Sequence, residues 1–276
     1  MPQFRLITYD PALIQHHQPN WDSLLTKKQN APGRYDFLTG ISAYSSGVRA
    51  HEGHEIVRAV FDRVLPWCDG FDRVERQLDQ EGVAPVSLCS VELRCPKPYA
   101  VEGFDSFNEA YVERLHLMGV FLEGDDNPVG RTNVAPVRNA PNEQGMFAFA
   151  YVRPATTDRK VSFVIAGGGE VRGRGINSET IIRYGEVTEE AMAEKVSFVF
   201  DVMGKRLNAL NLTWEDVRTT NVYTLHNLDG TLSDIIETRV GVASIHGVHR
   251  YRSAPPVEGI EFEMDVKGPT WELALS

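Results

Sequence analysis

Three short motifs bring reactive residue types together in the sequence, and their spacing decides what chemistry each could do. His51 and His54 lie three residues apart, which would put both imidazoles on one face of a helix, but the segment is not H-E-x-x-H and no third ligand is evident. The AGGG run at 166–169 and the RGRG run at 172–175 match neither G-x-G-x-x-G nor the P-loop, so we expect turns there. The segment GISAYSSG lacks the spacing of a serine nucleophile elbow. We therefore expect no metal, no phosphate-bearing cofactor and no serine nucleophile.

Composition limits the kind of partner that this chain can have. Its 276 residues are enough to bury two cores of ordinary domain size, and 38 acidic against 28 basic residues give a net charge of -10, which argues against nucleic acid. No apolar run reaches the ~20 residues of a membrane span, and the N-terminal sequence lacks the apolar core of a signal peptide. Cys68, Cys89 and Cys95 lack zinc-ribbon spacing and indicate buried thiols in a reducing compartment. We expect a cytoplasmic protein that acts on a small molecule.

The hydrophobic pattern predicts the elements that must position a site, and it does so twice along the chain. Apolar residues repeat at three and four residues in the helical segments, whereas β-branched and apolar runs bounded by turn residues indicate strands. In the first half, the pattern predicts a strand from Tyr35, a helix over 52–65 ended by Pro66, a strand over 85–95, a helix over 106–118 and a strand over 146–152.

The second half repeats this order, and the repeat predicts the fold class. Its predicted elements are strands over 160–168 and 179–187, a helix over 189–210, a strand over 216–225, a helix over 232–244 and a strand over 259–266. Each half is an α+β unit, a mixed sheet with two helices packed on one face. The turn-rich segment PATTDRK marks the seam. We therefore expect an extension over 1–33, a first domain over 34–154 and a second over 160–270.

Several segments resemble the RidA/YjgF superfamily, and the resemblance covers nearly all of residues 35–267. In the second half it is carried by ETIIRYGEVT, NLTWEDVRTTNVYTLHNLDG and IEFEMDV, and in the first half by SFNEAYVERL and GRTNVAPVRNAP. Domains of that superfamily, which are related to the chorismate-mutase-like fold, trimerise around a barrel and bind ligands at domain interfaces. The resemblance therefore implies two tandem RidA-like domains and a homo-oligomer, either a trimer or a pseudo-trimer.

The resemblance also implies site residues, and it divides them between the two halves. Arg131 matches the arginine that binds a substrate carboxylate, Asn108 matches an asparagine that lines the pocket, and Gly40 matches a glycine that approaches the ligand. Glu261 matches the water-handling glutamate of the closing strand, whereas the first half has MFAFA at that place. The second half has SIHGVHRYR where the arginine would be. We therefore expect unlike interfaces, with one type of pocket keeping activity.

The tandem length is similar to that of superfamily deaminases that act on 2-aminomuconate and its chloro derivative in the degradation of aromatic compounds. Such hydrolysis of an enamine or imine needs no cofactor; a guanidinium would bind the carboxylate in a bidentate manner and a glutamate would activate water. The second carboxylate of a muconate requires another basic group, for which the candidates are His246, His249, Arg250, Arg252 and Arg138. Chorismate hydrolysis and non-catalytic sensing of a small acid stay open as alternatives, as does a merely solvent-facing Glu261.

Overall fold

Thirteen strands and four α-helices form the part of the chain that the computed structural model describes, which is residues 25–39, 43–121, 126–159, 161–173 and 175–276. The strands are β1 (Lys27–Asn30), β2 (Tyr35–Leu38), β3 (Gly47–Ala50), β4 (His54–Pro66), β5 (Leu88–Arg94), β6 (Gly130–Pro136), β7 (Gly145–Pro154), β8 (Phe163–Gly169), β9 (Thr219–Thr224), β10 (His249–Tyr251), β11 (Ser253–Ala254), β12 (Phe262–Gly268) and β13 (Trp271–Leu275). The helices are α1 (Trp67–Gln80), α2 (Val101–Leu117), α3 (Glu189–Ala209) and α4 (Thr231–Val240).

These strands form two mixed sheets, and each sheet carries two helices. Sheet A has the order β1-β2-β3-β8-β12-β9-β10, and sheet B has the order β11-β6-β5-β7-β4-β13. Helices α3 and α4 share one apolar core with sheet A, and α1 and α2 share another with sheet B. The predicted α+β class, with two helices on one face of each mixed sheet, is confirmed. None of the described helices is long and apolar enough to cross a membrane.

The faces of the two sheets that carry no helix pack against each other. Their shared core takes residues from both sheets, namely Tyr35, Phe37, Val48, Ala50 and Val164 from sheet A and Ile56, Cys89, Ala150 and Val152 from sheet B. Buried charges also join the sheets: Lys267 in β12 donates to Glu92 Oε1 in β5 at 2.7 Å, and Arg58 in β4 donates to the same carboxylate at 2.6 Å. Because each charge has a partner, the junction of the sheets is held by both apolar packing and ion pairs.

Both ends of the described chain cross from one sheet to the other. β3 pairs with β8, so the N-terminal strands extend sheet A, which otherwise consists of strands from after residue 160. β13 pairs with β4, so the C-terminal strand extends sheet B. Each sheet thus combines segments from both sides of the predicted seam, and the division at 34–154 and 160–270 stays a prediction.

The helix predicted over 52–65 is wrong, because this segment is strand β4. Val57, Ala59 and Phe61 alternate onto the core beneath α1 and α2, whereas Ile56 faces sheet A. This alternation is the period of a strand, and its pairing with β7 and β13 satisfies the backbone. Pro66 precedes α1 rather than ending a helix, in a position where a missing N–H costs no hydrogen bond.

Three further expectations are corrected. The strand predicted over 179–187 is a series of turns with one isolated bridge, because Arg183 and Gly185 have φ values of 47° and 75°, which no extended strand contains. The run at 166–169, predicted as a turn, is the end of strand β8. His51 precedes β4 and His54 is its first residue, so the two do not share a helix, and His51 Nε2 lies 3.0 Å from Asp36 Oδ1.

Candidate active site

A cavity of about 900 Å³ opens at the junction of the two sheets, between helices α2 and α3. Sheet B contributes Arg131 and Asn133 of β6 to its wall, and sheet A contributes Gly167 of β8 and Glu263 of β12. Asn108 of α2 also lines it. A cavity of this size, with a few convergent polar groups and an otherwise apolar wall, is typical of a small-molecule site.

Arg131 is a buried cation without an acidic partner among the described residues. Its side chain sits within a cluster of aromatic rings, with Cζ 4.5 Å from the ring centroid of Tyr44 and 4.7 Å from that of Tyr111. Nη2 donates to Asn108 Oδ1 at 2.6 Å, whereas Nη1 is buried and has no partner. Burial lowers the pKa of Arg131, because the charged form has lost water. An orphaned charged donor beside a cavity indicates that an anionic ligand completes its hydrogen bonds.

Asn133 adds a second unpaired donor on the same strand face. Residues two apart in a strand point to the same side, so Asn133 follows Arg131 along the cavity wall. Its Oδ1 accepts a hydrogen bond from Gln144 at 3.2 Å, which fixes the amide, while its buried Nδ2 has no partner among the described residues. Arg131 Nη1 and Asn133 Nδ2 therefore offer two donors to oxygen atoms of a ligand.

Glu263 is the buried acid of the cavity. Burial, followed by repulsion from Asp265, raises the pKa of Glu263 to about 8, although Arg206 and Arg131 act in the opposite direction. Near neutral pH this side chain therefore holds a proton and can donate it. Once ionised, it can take a proton from water, which is the behaviour required of a general acid and base.

The glycine run of β8 gives Glu263 and Arg206 the space they occupy. A Cβ on Gly167 would overlap Glu263 Oε1, and a Cβ on Gly168 would lie 3.0 Å from Arg206 Nη1. Arg206 reaches this strand from α3 and donates through Nη1 to the carbonyls of Ala166 at 2.9 Å and Gly167 at 3.2 Å. The glycine run is thus a stretch of strand without side chains beside the cavity.

The structure does not bring Glu261 to the cavity. It lies one residue before β12, and its side chain is 28% exposed. Its Oε2 lies 2.7 Å from Nε2 of His226. The strand alternation begins after it: Phe262 and Met264 face the core beneath α3, and Glu263 faces the cavity. The position that could activate water in the cavity is therefore 263.

The candidates for a second basic group also lie away from the cavity. His246 Nε2 is 3.4 Å from Arg218 Nη1, and Arg250 donates to Ser233 Oγ at 2.8 Å. His249, Arg252 and Arg138 are likewise absent from the lining. Gly40 lies outside the described residues. Of the residues that the sequence singled out, the structure brings Arg131 and Asn108 together in the cavity.

Sequence reasoning missed several polar residues of the lining, among them the three that contribute most to the site. Glu263 belongs to the alternating FEMDVK segment, whose apolar residues needed one buried face and whose charges therefore needed the other. Arg206 is a basic residue beside the apolar stripe of α3. Asn133 stands two residues after Arg131, the spacing of one strand face.

No group of three or more His, Cys, Asp or Glu side chains within the described ranges is arranged to hold a metal ion. The buried polar side chains of the cavity wall are Arg131, Asn133 and Glu263, with Ser46, whereas the other lining acids Asp105, Glu109 and Asp201 are not buried. Buried nitrogen donors suit an organic acid as ligand better than a cation.

Comparisons with known proteins identify a matching family and several similar proteins. A family model described as "2-aminomuconate deaminase CnbZ" matches residues 27–273. A protein of Comamonas testosteroni named 2-amino-5-chloromuconate deaminase is 38% identical over 247 residues, which cover 89% of this chain and 97% of that protein. Among solved structures, a chorismatase matches with a TM-score of 0.45 at 13% identity, covering 88% of this chain and 78% of that one. The YjgF gene product of E. coli matches with a TM-score of 0.28 at 16% identity, covering 49% and 93%.

Proposed function

This chain belongs to the family described as 2-aminomuconate deaminase CnbZ, and from that membership and the cavity we propose that it hydrolyses a 2-aminomuconate-type acid to the 2-oxo acid and ammonia. The observation that carries the proposal is that Arg131 of one sheet and Glu263 of the other line one cavity. The first is a guanidinium whose Nη1 has no partner among the described residues, and the second is an acid whose pKa is raised to about 8. The substrate combines a carboxylate with an enamine carbon that must gain a proton.

Arg131 binds the carboxylate next to the amino-bearing carbon. Its Nη1 and the Nδ2 of Asn133 supply donors that are otherwise unpaired among the described residues, and Asn108 holds the guanidinium in place. Charge-assisted bonds to a carboxylate are about twice as strong as neutral ones, and the fixed fork orients the reacting carbon. Binding also offsets the cost of burying the guanidinium without a counter-ion.

Glu263 acts first as an acid and then as a base. Its proton passes to the enamine carbon, so that the C=C bond becomes the C=N bond of an iminium ion. The resulting carboxylate removes a proton from water as the water oxygen adds to the C=N carbon, which gives a carbinolamine. The same acid then protonates the nitrogen, ammonia departs, and the hydroxyl proton returns to Glu263 as the carbonyl forms. One water is consumed and one ammonia is released, and Glu263 ends the turnover protonated.

The reaction class and cellular setting are part of the same proposal. We assign the protein to the hydrolases that use no cofactor, since Glu263 and water carry out every proton transfer of the proposed reaction. The superfamily resemblance favours a homo-oligomer, a trimer or pseudo-trimer. The free thiols Cys68, Cys89 and Cys95 favour a reducing cytoplasm.

The test is an assay of the purified protein with 2-aminomuconate and 2-amino-5-chloromuconate, each made in situ, with ammonia measured by a coupled dehydrogenase. We expect one ammonia per substrate consumed, and parallel use of both acids would establish tolerance of chlorine. Chorismate is assayed beside them for release of pyruvate. Pyruvate without ammonia would make the protein a chorismatase, and tight binding without either product would make it a sensor.

A further inference from the structure

A second guanidinium, that of Arg206, faces the same cavity and forms no ion pair with an acid in the part of the chain that the structure describes. No ion pair involves Arg206 or Arg131 among the described residues, although the chain carries a net charge of -10. Asp201, an acid that α3 brings to the lining, pairs with Arg239 instead. Two arginines that face one cavity and form no ion pair with the described residues are costly unless an anionic ligand brings its own charges.

The two arginines approach Glu263 from opposite sheets. Arg131 extends from β6 of sheet B, and Arg206 extends from α3, which packs on sheet A. Tyr44, Arg131, Arg206 and Glu263 all line this one cavity, and the Arg131 guanidinium lies 4.5 Å from the centroid of the Tyr44 ring. A ligand with two separated negative charges would contact one guanidinium at each end and pass Glu263 between them.

We propose that Arg206 binds the second carboxylate of the substrate and makes the cavity selective for linear dicarboxylates. This inference rests on the proposed function, because it names which part of the substrate each arginine holds. Arg131 then takes the carboxylate beside the amino group, and Arg206 takes the distal one. The extended diene lies between them, with its reacting carbons beside Glu263.

A purely structural role is the rival interpretation of Arg206. Its Nη1 donates to two carbonyls of β8, and this could serve only to fasten α3 to the sheet. Arg49 offers a matched control, because its Nη1 also donates to two carbonyls, those of Leu210 at 2.8 Å and Asn211 at 3.1 Å, while it is absent from the cavity lining.

The experiment compares two unreactive ligands that differ only in the second carboxylate. Muconate (hexa-2,4-dienedioate) carries both carboxylates, whereas sorbate (hexa-2,4-dienoate) ends in a methyl group. Calorimetric titration of the full-length protein should give muconate an affinity about 10- to 100-fold above that of sorbate, since one charge-assisted pair separates them. Arg206→Gln should bring this ratio close to one with sorbate affinity changed by less than about 3-fold, and Arg49→Gln should keep the wild-type ratio.

Three results would overturn the inference: a wild-type ratio near one, an unchanged ratio in Arg206→Gln, or an equal loss of both ligands in that variant. If Arg206→Gln unfolds, Arg206→Lys replaces it in the experiment. We expect Arg206→Lys to fold and to give a muconate-to-sorbate affinity ratio between one and the wild-type value. A wild-type ratio in this variant would contradict the inference. The readout needs no turnover. If no ammonia is released but the affinity ratio depends on Arg206, the deaminase function is rejected and the dicarboxylate site is supported. If ammonia is released but the ratio is unchanged in Arg206→Gln, the deaminase function is supported and the role of Arg206 is rejected.

Discussion

Gly167 in β8 lies so close to Glu263 in β12 that a methyl group on its α-carbon would overlap Oε1 of the glutamate. The same methyl would lie 3.2 Å from Cα of Thr132 in the other sheet. The Gly167 N–H donates to Thr132 Oγ1 at 3.0 Å, which fixes this backbone at the junction. Only a residue without a side chain lets Glu263 face the cavity between the two sheets.

Gly167→Ala should therefore impair catalysis through displacement of Glu263. We expect ammonia release to fall about 10-fold or more, because the carboxyl group can no longer stay in line with the substrate. Overpacking should also lower the free energy of unfolding by about 1–3 kcal/mol. Steady-state kinetics and urea denaturation measure the two effects.

Gly204→Ala is the matched control. Its added Cβ would meet nothing closer than Trp214 Nε1 at 3.8 Å, and it lies inside α3. This variant should keep wild-type turnover and gain about 0.5–1 kcal/mol of stability. Wild-type turnover in Gly167→Ala would show that Glu263 does not need its present position.

Arg131→Ala should separate binding from folding. The affinity for substrate should drop by about 10- to 100-fold or more, because the variant removes the charged donor that meets the carboxylate. Thermal stability should stay equal or rise, since the native guanidinium is buried without an acidic partner. Differential scanning calorimetry and titration with muconate give the two readouts.

Arg49→Ala, outside the cavity, should show the opposite pattern of unchanged affinity and lower stability. An Arg131→Ala protein that binds muconate as the wild type does would remove the carboxylate site from β6.

The pH dependence of catalysis should follow the proton on Glu263. Because the free enzyme must begin each turnover with this acid protonated, kcat/KM should stay level below its pKa of about 8 and fall about tenfold per pH unit above it. Ammonia release between pH 6 and 10 checks this. A rate that rises through pH 8 would mean that the ionised form starts the reaction.

The free energy of unfolding should fall as the pH rises, because of the same group. The folded-state pKa of Glu263 is raised, so between pH 4.5 and 8 the folded chain holds a proton that the unfolded chain has lost. Its contribution to the free energy of unfolding is complete below pH 4.5 and is lost as the pH rises through 8. Urea midpoints at pH 5.5 and 9 should therefore differ more in the wild type than in Glu263→Gln. Equal differences in the two proteins would indicate a solvated carboxyl group.

Periodicity predicted α3 almost to its ends, because this helix buries a single stripe that includes Val196, Val199 and Met203. It failed on β4, where Val57, Val60 and Phe61 fit the spacing of a helix while Val57, Ala59 and Phe61 fit that of a strand. Pairing with β7 and β13 decides between them, and β13 is more than 200 residues away in the sequence.

The site was predictable to the extent that single residues carried it. Arg131 and Asn108 stand within recognisable segments, and the structure places both in one cavity. The choice between Glu261 and Glu263 depends on where β12 begins, because the turn before Phe262 ends the alternation. Arg206 enters the cavity only because α3 packs across the glycine strand, and no local pattern specifies that contact.

The most direct test of whether the acid in the cavity performs the chemistry compares two variants, Glu263→Gln and Glu261→Gln. The quantity measured is the ammonia that each enzyme releases from 2-aminomuconate. We predict a fall of about 100- to 10,000-fold for Glu263→Gln, muconate affinity within a few-fold of wild type, and near wild-type release for Glu261→Gln. Wild-type release by Glu263→Gln, or a loss confined to Glu261→Gln, would contradict the role assigned to the cavity.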